Sequence, residues 1–245
     1  MAHGHEDFHR RTEVFITADD IDLNELAVRL GSIVNFDRRG TVLFANGFEG
    51  SMAAFLTSHY ISGSSSGINT GQAKDGSASC RLTTAASVLA WVRVARIQPV
   101  MSLTRMGFEL SFTTWNGPVL HVWEINWYTG SQLIRARITY AKATDELKML
   151  LSDGSERTIA TLPLYGDFSN CFHVLKLVAD FETREYVRLI LNDTTYDLSA
   201  YGIHVSAPVT DPHIVSFYEI WGELAGVRYS DIDNYIITKN EPEEV

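Results

Sequence analysis

Five large rings lie close together in one stretch of this chain: Trp115, Trp123, Trp127, Tyr128 and Tyr140. Flat aromatic faces match the apolar face of a pyranose, so the set could form a platform for sugar. On an extended strand Trp123 and Trp127 have the same parity and point to one side, with Val119 and His121. They are the candidate glycan-binding pair, although a core stripe has the same parity. Carboxylates offer a second chemistry. Glu109 with Glu124 could act as a glycosidase pair, and His121 or His173 near Glu124 could move a proton. His3, His5 and His9 have a metal-like HxHxxxH spacing, but in a charged segment that reads as a solvated arm. No GxSxG, HExxH, P-loop or GxGxxG in strand–helix context accompanies these groups. The chain is therefore expected to bind or assemble and not to catalyse.

The elements that must position these groups are strands. Met106 to Trp115, Val119 to Tyr128, Gln132 to Tyr140 and His173 to Phe181 all show the period of two that marks a half-buried sheet. Turns fall at Asn116-Gly-Pro118, at Thr129-Gly130, at Asp153-Gly154 and at Asn192-Asp193. About a dozen strands with hardly a helix predict an all-β, two-sheet antiparallel sandwich over residues 41–240. Residues 1–40 read as an extended arm, with a short strand from Thr12 to Thr17 and a helix from Leu23 to Leu30. The acidic tail 241–245 is expected to pack on nothing, and the Gly/Ser-rich stretch Ser58 to Gly76 is expected to be a loop.

Composition sets bounds on partners. The 245 residues are 45% apolar and 20% charged, enough for a globular core. A formal charge of −10 without a basic cluster argues against nucleic acid and anionic lipid as partners. Cys80 and Cys171 have no CxxC companion, so neither a zinc site nor a disulfide framework is expected, only two buried thiols. The amino terminus lacks the apolar run of a secretory signal, and no stretch is long and apolar enough to cross a bilayer. Synthesis in the cytoplasm is the expectation.

Three stretches in order, Val42 to Gly50 with Phe48-Glu49, Asp75 to Thr84, and Tyr229 to Thr238, resemble the opening and closing strands of concanavalin-like and carbohydrate-binding-module jelly rolls. That resemblance, over residues 40 to 240, implies that the first and last strands are neighbours. It also implies a structural calcium ion held by Glu49 and Asp233, with Asp231 and backbone carbonyls as helpers. Asp233-Asn234 stands where the family pattern has two acids, which lowers the ligand charge. More narrowly, Phe36 to Gly40, His173 to Phe181, Tyr186 to Asp193 and Tyr196 to Ser199 resemble uncharacterised jelly-roll proteins of bacteriophage and phage-like genomes. This implies a non-enzymatic virion structural protein, a capsid-associated or decoration jelly roll. Its partners would be identical subunits and a major capsid or other virion protein, and its arm would dock on a neighbour. A carbohydrate-binding module and a polysaccharide-cleaving enzyme are the alternatives that the same fold implies.

Overall fold

The computed structural model describes residues 39–100, 104–166, 171–207 and 210–243. The arm expected over residues 1–40, with His3, His5, His9, the strand at Thr12 and the helix at Leu23, falls outside the described residues but for residues 39 and 40. From residue 39 onward the described chain is strand and turn without a helix.

Sixteen strands pair antiparallel in two sheets among the described residues. The first sheet holds β1 (Thr41–Asn46), β3 (Ser65–Asn69), β4 (Ser79–Thr84), β6 (Arg105–Thr113), β11 (Phe172–Asp180), β12 (Glu185–Leu191), β13 (Thr194–Asp197) and β16 (Arg228–Lys239). Its order is β13-β12-β11-β6-β16-β4-β3, with β1 also on β16. The second sheet holds β2 (Leu56–Tyr60), β5 (Trp91–Gln98), β7 (Leu120–Tyr128), β8 (Leu133–Ala141), β9 (Glu146–Leu150), β10 (Glu156–Thr161), β14 (His204–Ser206) and β15 (His213–Trp221). Its order is β10-β9-β8-β7-β15-β5-β2, with β14 on β8. The opening strand β1 does lie against the closing strand β16, from Thr41 opposite Lys239 to Asn46 opposite Tyr235.

Alternation builds the core. Met106, Phe108, Leu110 and Phe112 of β6 and Leu175, Leu177 and Ala179 of β11 face Trp123, Ile125 and Trp127 of β7 and Ile214, Tyr218 and Ile220 of β15. The rings interlock edge to face, Phe112 on Trp123 at 4.7 Å, an arrangement that adds to their area burial. A polar thread runs through this apolar layer. His121 Nδ1 meets the Tyr218 hydroxyl at 2.5 Å, that hydroxyl meets Ser230 Oγ at 2.9 Å, and Ser230 donates to the Thr113 carbonyl at 2.7 Å.

Three expectations need correction. The stretch Ser58 to Gly76 is not one loop, because β3 and most of β2 fall within it, one at the edge of each sheet. An edge strand pairs on one side only and need not alternate, so its residues look like loop: all five of β2 are exposed. The tail is not free either. Glu241 is 2% exposed and accepts from Lys176 Nζ at 2.8 Å and Arg188 Nη2 at 2.6 Å on the outer side of the first sheet. Gly107 lets it settle there, since a Cβ would meet Thr238 Oγ1 and, at 2.8 Å, Glu241 Oε1. Of the two free thiols, Cys80 is buried and Cys171 only half-buried.

Candidate ligand-binding face

The structure places the sequence-predicted groups apart. Trp123 and Trp127, 0% and 2% exposed, share a face as their parity requires, but that face is the inner one. Trp123 is enclosed by Phe112, His121 and Tyr218, and Trp127 packs on Phe181 at 5.5 Å. Neither ring can lie on a sugar without opening the sandwich. Glu109 and Glu124 lie on opposite outer faces, on β6 of the first sheet and β7 of the second. His173 is held by the Tyr165 carbonyl at 3.0 Å and Asn192 at 3.1 Å, and His121 is in the core. The acid–base sets foreseen from sequence are not assembled.

The three acids assigned to calcium are likewise occupied separately. Glu49 accepts from Ser77 N and Ser77 Oγ at 3.0 and 2.7 Å and from Ala78 N at 3.2 Å, over a glycine, Gly76, at φ +70°. Asp233 accepts from the amides of Lys74, Asp75 and Asn234 at 2.9, 3.1 and 2.7 Å. Asp231 takes Arg81 in a fork, Nε at 2.9 Å and Nη2 at 2.8 Å, and Asn69 at 2.8 Å. Among the described residues no three acids, histidines or cysteines form a group able to hold a metal. Donor hydrogens face the oxygens a cation would need, so these residues do not fit calcium as a set. Asp233 pins the backbone at 74–75 to the closing strand instead, Glu49 holds the 77–78 backbone beside the end of β1, and Asp231 ties β16 to β4 and β3. Excess EDTA is accordingly expected to leave the melting temperature unchanged, and calcium to raise it by under about 1 °C; a rise of several degrees, read by calorimetry, would restore the metal.

Two of these buried groups set a pH dependence. Burial, with like charge from His173 and Lys142, pushes His121 down to about 3 from 6.5. The unfolded chain therefore takes up a proton below about pH 6.5 that the fold refuses, and stability falls as pH falls. Asp233 has the opposite sign: burial and the nearby Asp75 carboxylate raise it to about 6, against the pull of three amides, so protonating it favours the fold below that pH. Comparison with a His121→Gln variant cancels the aspartate. The stability gap between wild type and variant is expected to shift by about 2 kcal/mol against wild type from pH 7 to pH 5. A gap independent of pH in urea titrations would show that His121 titrates normally.

What the fold does bring together lies on the outer face of the second sheet, in rows fixed by strand register. The first row is aromatic: Tyr60 on β2, Trp91 on β5 and Trp221 on β15 stand opposite one another in sequence across the sheet. Tyr60 is 53% exposed and stacks on Trp91 at 6.4 Å and 18°, and both tryptophans are half-buried. The next row braces it. Arg93 Nε and Nη2 reach Glu219 Oε2 at 2.8 and 2.7 Å, Trp221 Nε1 donates to Glu219 Oε1 at 2.7 Å, and the Arg93 guanidinium lies over Phe217 at 3.9 Å. Further along, Glu124 is 1% exposed and paired to Arg135 at 3.2 Å and to Arg137, while Asn126 donates to its Oε1 at 2.6 Å. A cleft of about 330 Å³ opens on this face between β2 and β7.

Sequence reading missed Tyr60, Trp91 and Trp221. A signal was present: Trp91-x-Arg93 and Glu219-x-Trp221 each put a ring and a charge at one parity, a combination that suits a wetted face and not a core.

No family model matches this chain. No curated protein matches it. Solved structures do share its fold: an endo-β-1,4-glucuronan lyase from the fungus Trichoderma reesei covers 84% of this chain and 100% of its own, at 10% identity and a TM-score of 0.55. A sialidase covers 82% of this chain at 8% identity and a TM-score of 0.52, and the chain spans only 19% of that protein's length. A β-glucanase of Bacillus licheniformis matches over 82% of this chain and 99% of its own at 12% identity, with a TM-score of 0.48. The fold is a jelly-roll β-sandwich of two antiparallel sheets.

Proposed function

We propose that this protein binds carbohydrate without cleaving it, on the outer face of the second sheet. One observation carries the reading: the row Tyr60–Trp91–Trp221, three rings set side by side at the surface and held by the Arg93–Glu219 pair. Rings so placed offer a stiff apolar strip to the C–H face of successive sugars, and the flanking charges offer hydrogen bonds to hydroxyls. The fold is shared with a glucuronan lyase, a protein named for a carbohydrate substrate, which supports the reading.

Binding is favoured over cleavage by the state of the acids. Glu124 and Glu219 are the carboxylates of the central strands on this face, and both are committed to arginines. General acid catalysis needs a carboxyl free to give up a proton to the leaving oxygen. A virion assembly role, the first expectation from sequence, rests on resemblance alone.

Affinity electrophoresis in gels containing soluble β-glucan or β-1,4-glucuronan tests this. Retardation by a polysaccharide without release of shorter products is expected. Unretarded migration in a broad set of polysaccharides, or the appearance of products, would overturn the proposal.

A further inference from the structure

One residue that lines the cleft beside the aromatic row has a buried polar atom that the protein leaves unused. That residue is Asn126, on β7, which is 4% exposed. Its Nδ2 donates to Glu124 Oε1, and that carboxylate, set between Arg135 and Arg137, can only accept. This fixes which end of the amide is which, a choice often ambiguous for asparagine. Oδ1 is then left buried with no hydrogen-bond partner. Native proteins leave few such atoms without a partner, the missing group being supplied by an ordered water or by a ligand, and in a residue that lines a cleft a ligand can take the water's place.

The missing group is a donor, because a carbonyl oxygen only accepts. The remaining walls describe what carries it. Leu56, Ala95 and Phe217 give it apolar lining, and Arg93 and Tyr128 line it beside them. Arg93 is fastened to Glu219, and Tyr128 is stacked on His213 at 4.4 Å and 13°, so both are held before any ligand arrives. At about 330 Å³ the cleft is at the small end of ligand pockets, suited to one ring and not to a chain.

We propose that this cleft is a subsite for a single pyranose ring, oriented by a ring hydroxyl that donates to Asn126 Oδ1. The inference rests on the carbohydrate-binding reading and adds where one sugar residue sits and which atom reads it. The aromatic row supplies stacking along the chain; Asn126 supplies the directional contact.

Nuclear magnetic resonance of the full chain labelled with ¹⁵N tests it. The Asn126 side-chain amide, assigned by its loss in Asn126→Leu, is followed during millimolar titrations with methyl β-glucopyranoside, methyl β-galactopyranoside and methyl β-xylopyranoside, with cyclohexane-1,2-diol as a control. At least one pyranoside is expected to shift that signal saturably, and Asn126→Leu is expected to weaken its binding about tenfold. Absence of a shift with all three sugars overturns the subsite, as does an equal shift with the diol. Should Asn126→Leu fail to fold, triple-resonance spectra of the wild-type chain assign the Asn126 side-chain amide, and the wild-type titration decides alone. A protein still retarded in polysaccharide gels with Asn126 unmoved loses the subsite and keeps the reading, whereas one that is not retarded loses the reading.

Discussion

Alanine at Trp91 weakens polysaccharide binding about 30-fold, the loss expected of an interface ring worth about 2 kcal/mol, while the fold stays nearly as stable as before. The ring lies at the start of β5, half-buried between Tyr60 and Trp221, so truncation removes surface offered to a ligand and little that the core uses. Trp123→Ala has the opposite signature. That ring is fully enclosed, and its loss costs about 3–5 kcal/mol of stability with no direct contact to ligand. Calorimetric titration and urea denaturation on the two variants separate the roles. Loss of binding in Trp123→Ala with Trp91→Ala unaffected would return the platform to the inner tryptophans.

Glu241→Ala is expected to lower stability by about 3–5 kcal/mol, seen as an earlier denaturation midpoint at unchanged slope. Lys176 and Arg188 are buried on the outer side of the first sheet, and the Glu241 carboxylate lies between them, one oxygen to each. Removing it takes from two desolvated cations the carboxylate that they share. The contact ties Glu241 to β11 and β12, two and three strands from β16. Glu241→Gln, which keeps the shape and loses the charge, should fall between. A change below about 1 kcal/mol in the alanine variant would mean that the cations find other anions at no cost.

The sandwich was legible because period-two alternation on long central strands is a direct trace of a sheet with one buried side. β6, β7, β8 and β11 lie where that pattern puts them, and β1 meets β16 as the resemblance implies. The edge strands β2 and β3 were not legible, since a strand paired on one side draws its stability from its neighbour's backbone and leaves little mark in its own residues. For the site, parity did half of what was asked. It grouped Trp123 with Trp127 correctly, but two residues on one face of a central strand can face either the partner sheet or solvent. Only the neighbours decide, and β7 has Glu124 and Asn126 on the side away from the core. The tail failed for a similar reason: Glu241 looks solvated until Lys176 and Arg188 are placed beside it.

The most direct test is hydroxyl-radical footprinting of the protein with and without a polysaccharide that retards it in gels, read by mass spectrometry. Tyr60, Trp91 and Trp221 are predicted to be protected by the bound polymer, and Tyr165, exposed elsewhere on the sandwich, to react as before. Protection centred on Tyr165 or on the outer side of the first sheet, with the three rings unchanged, would contradict the assignment of the binding face.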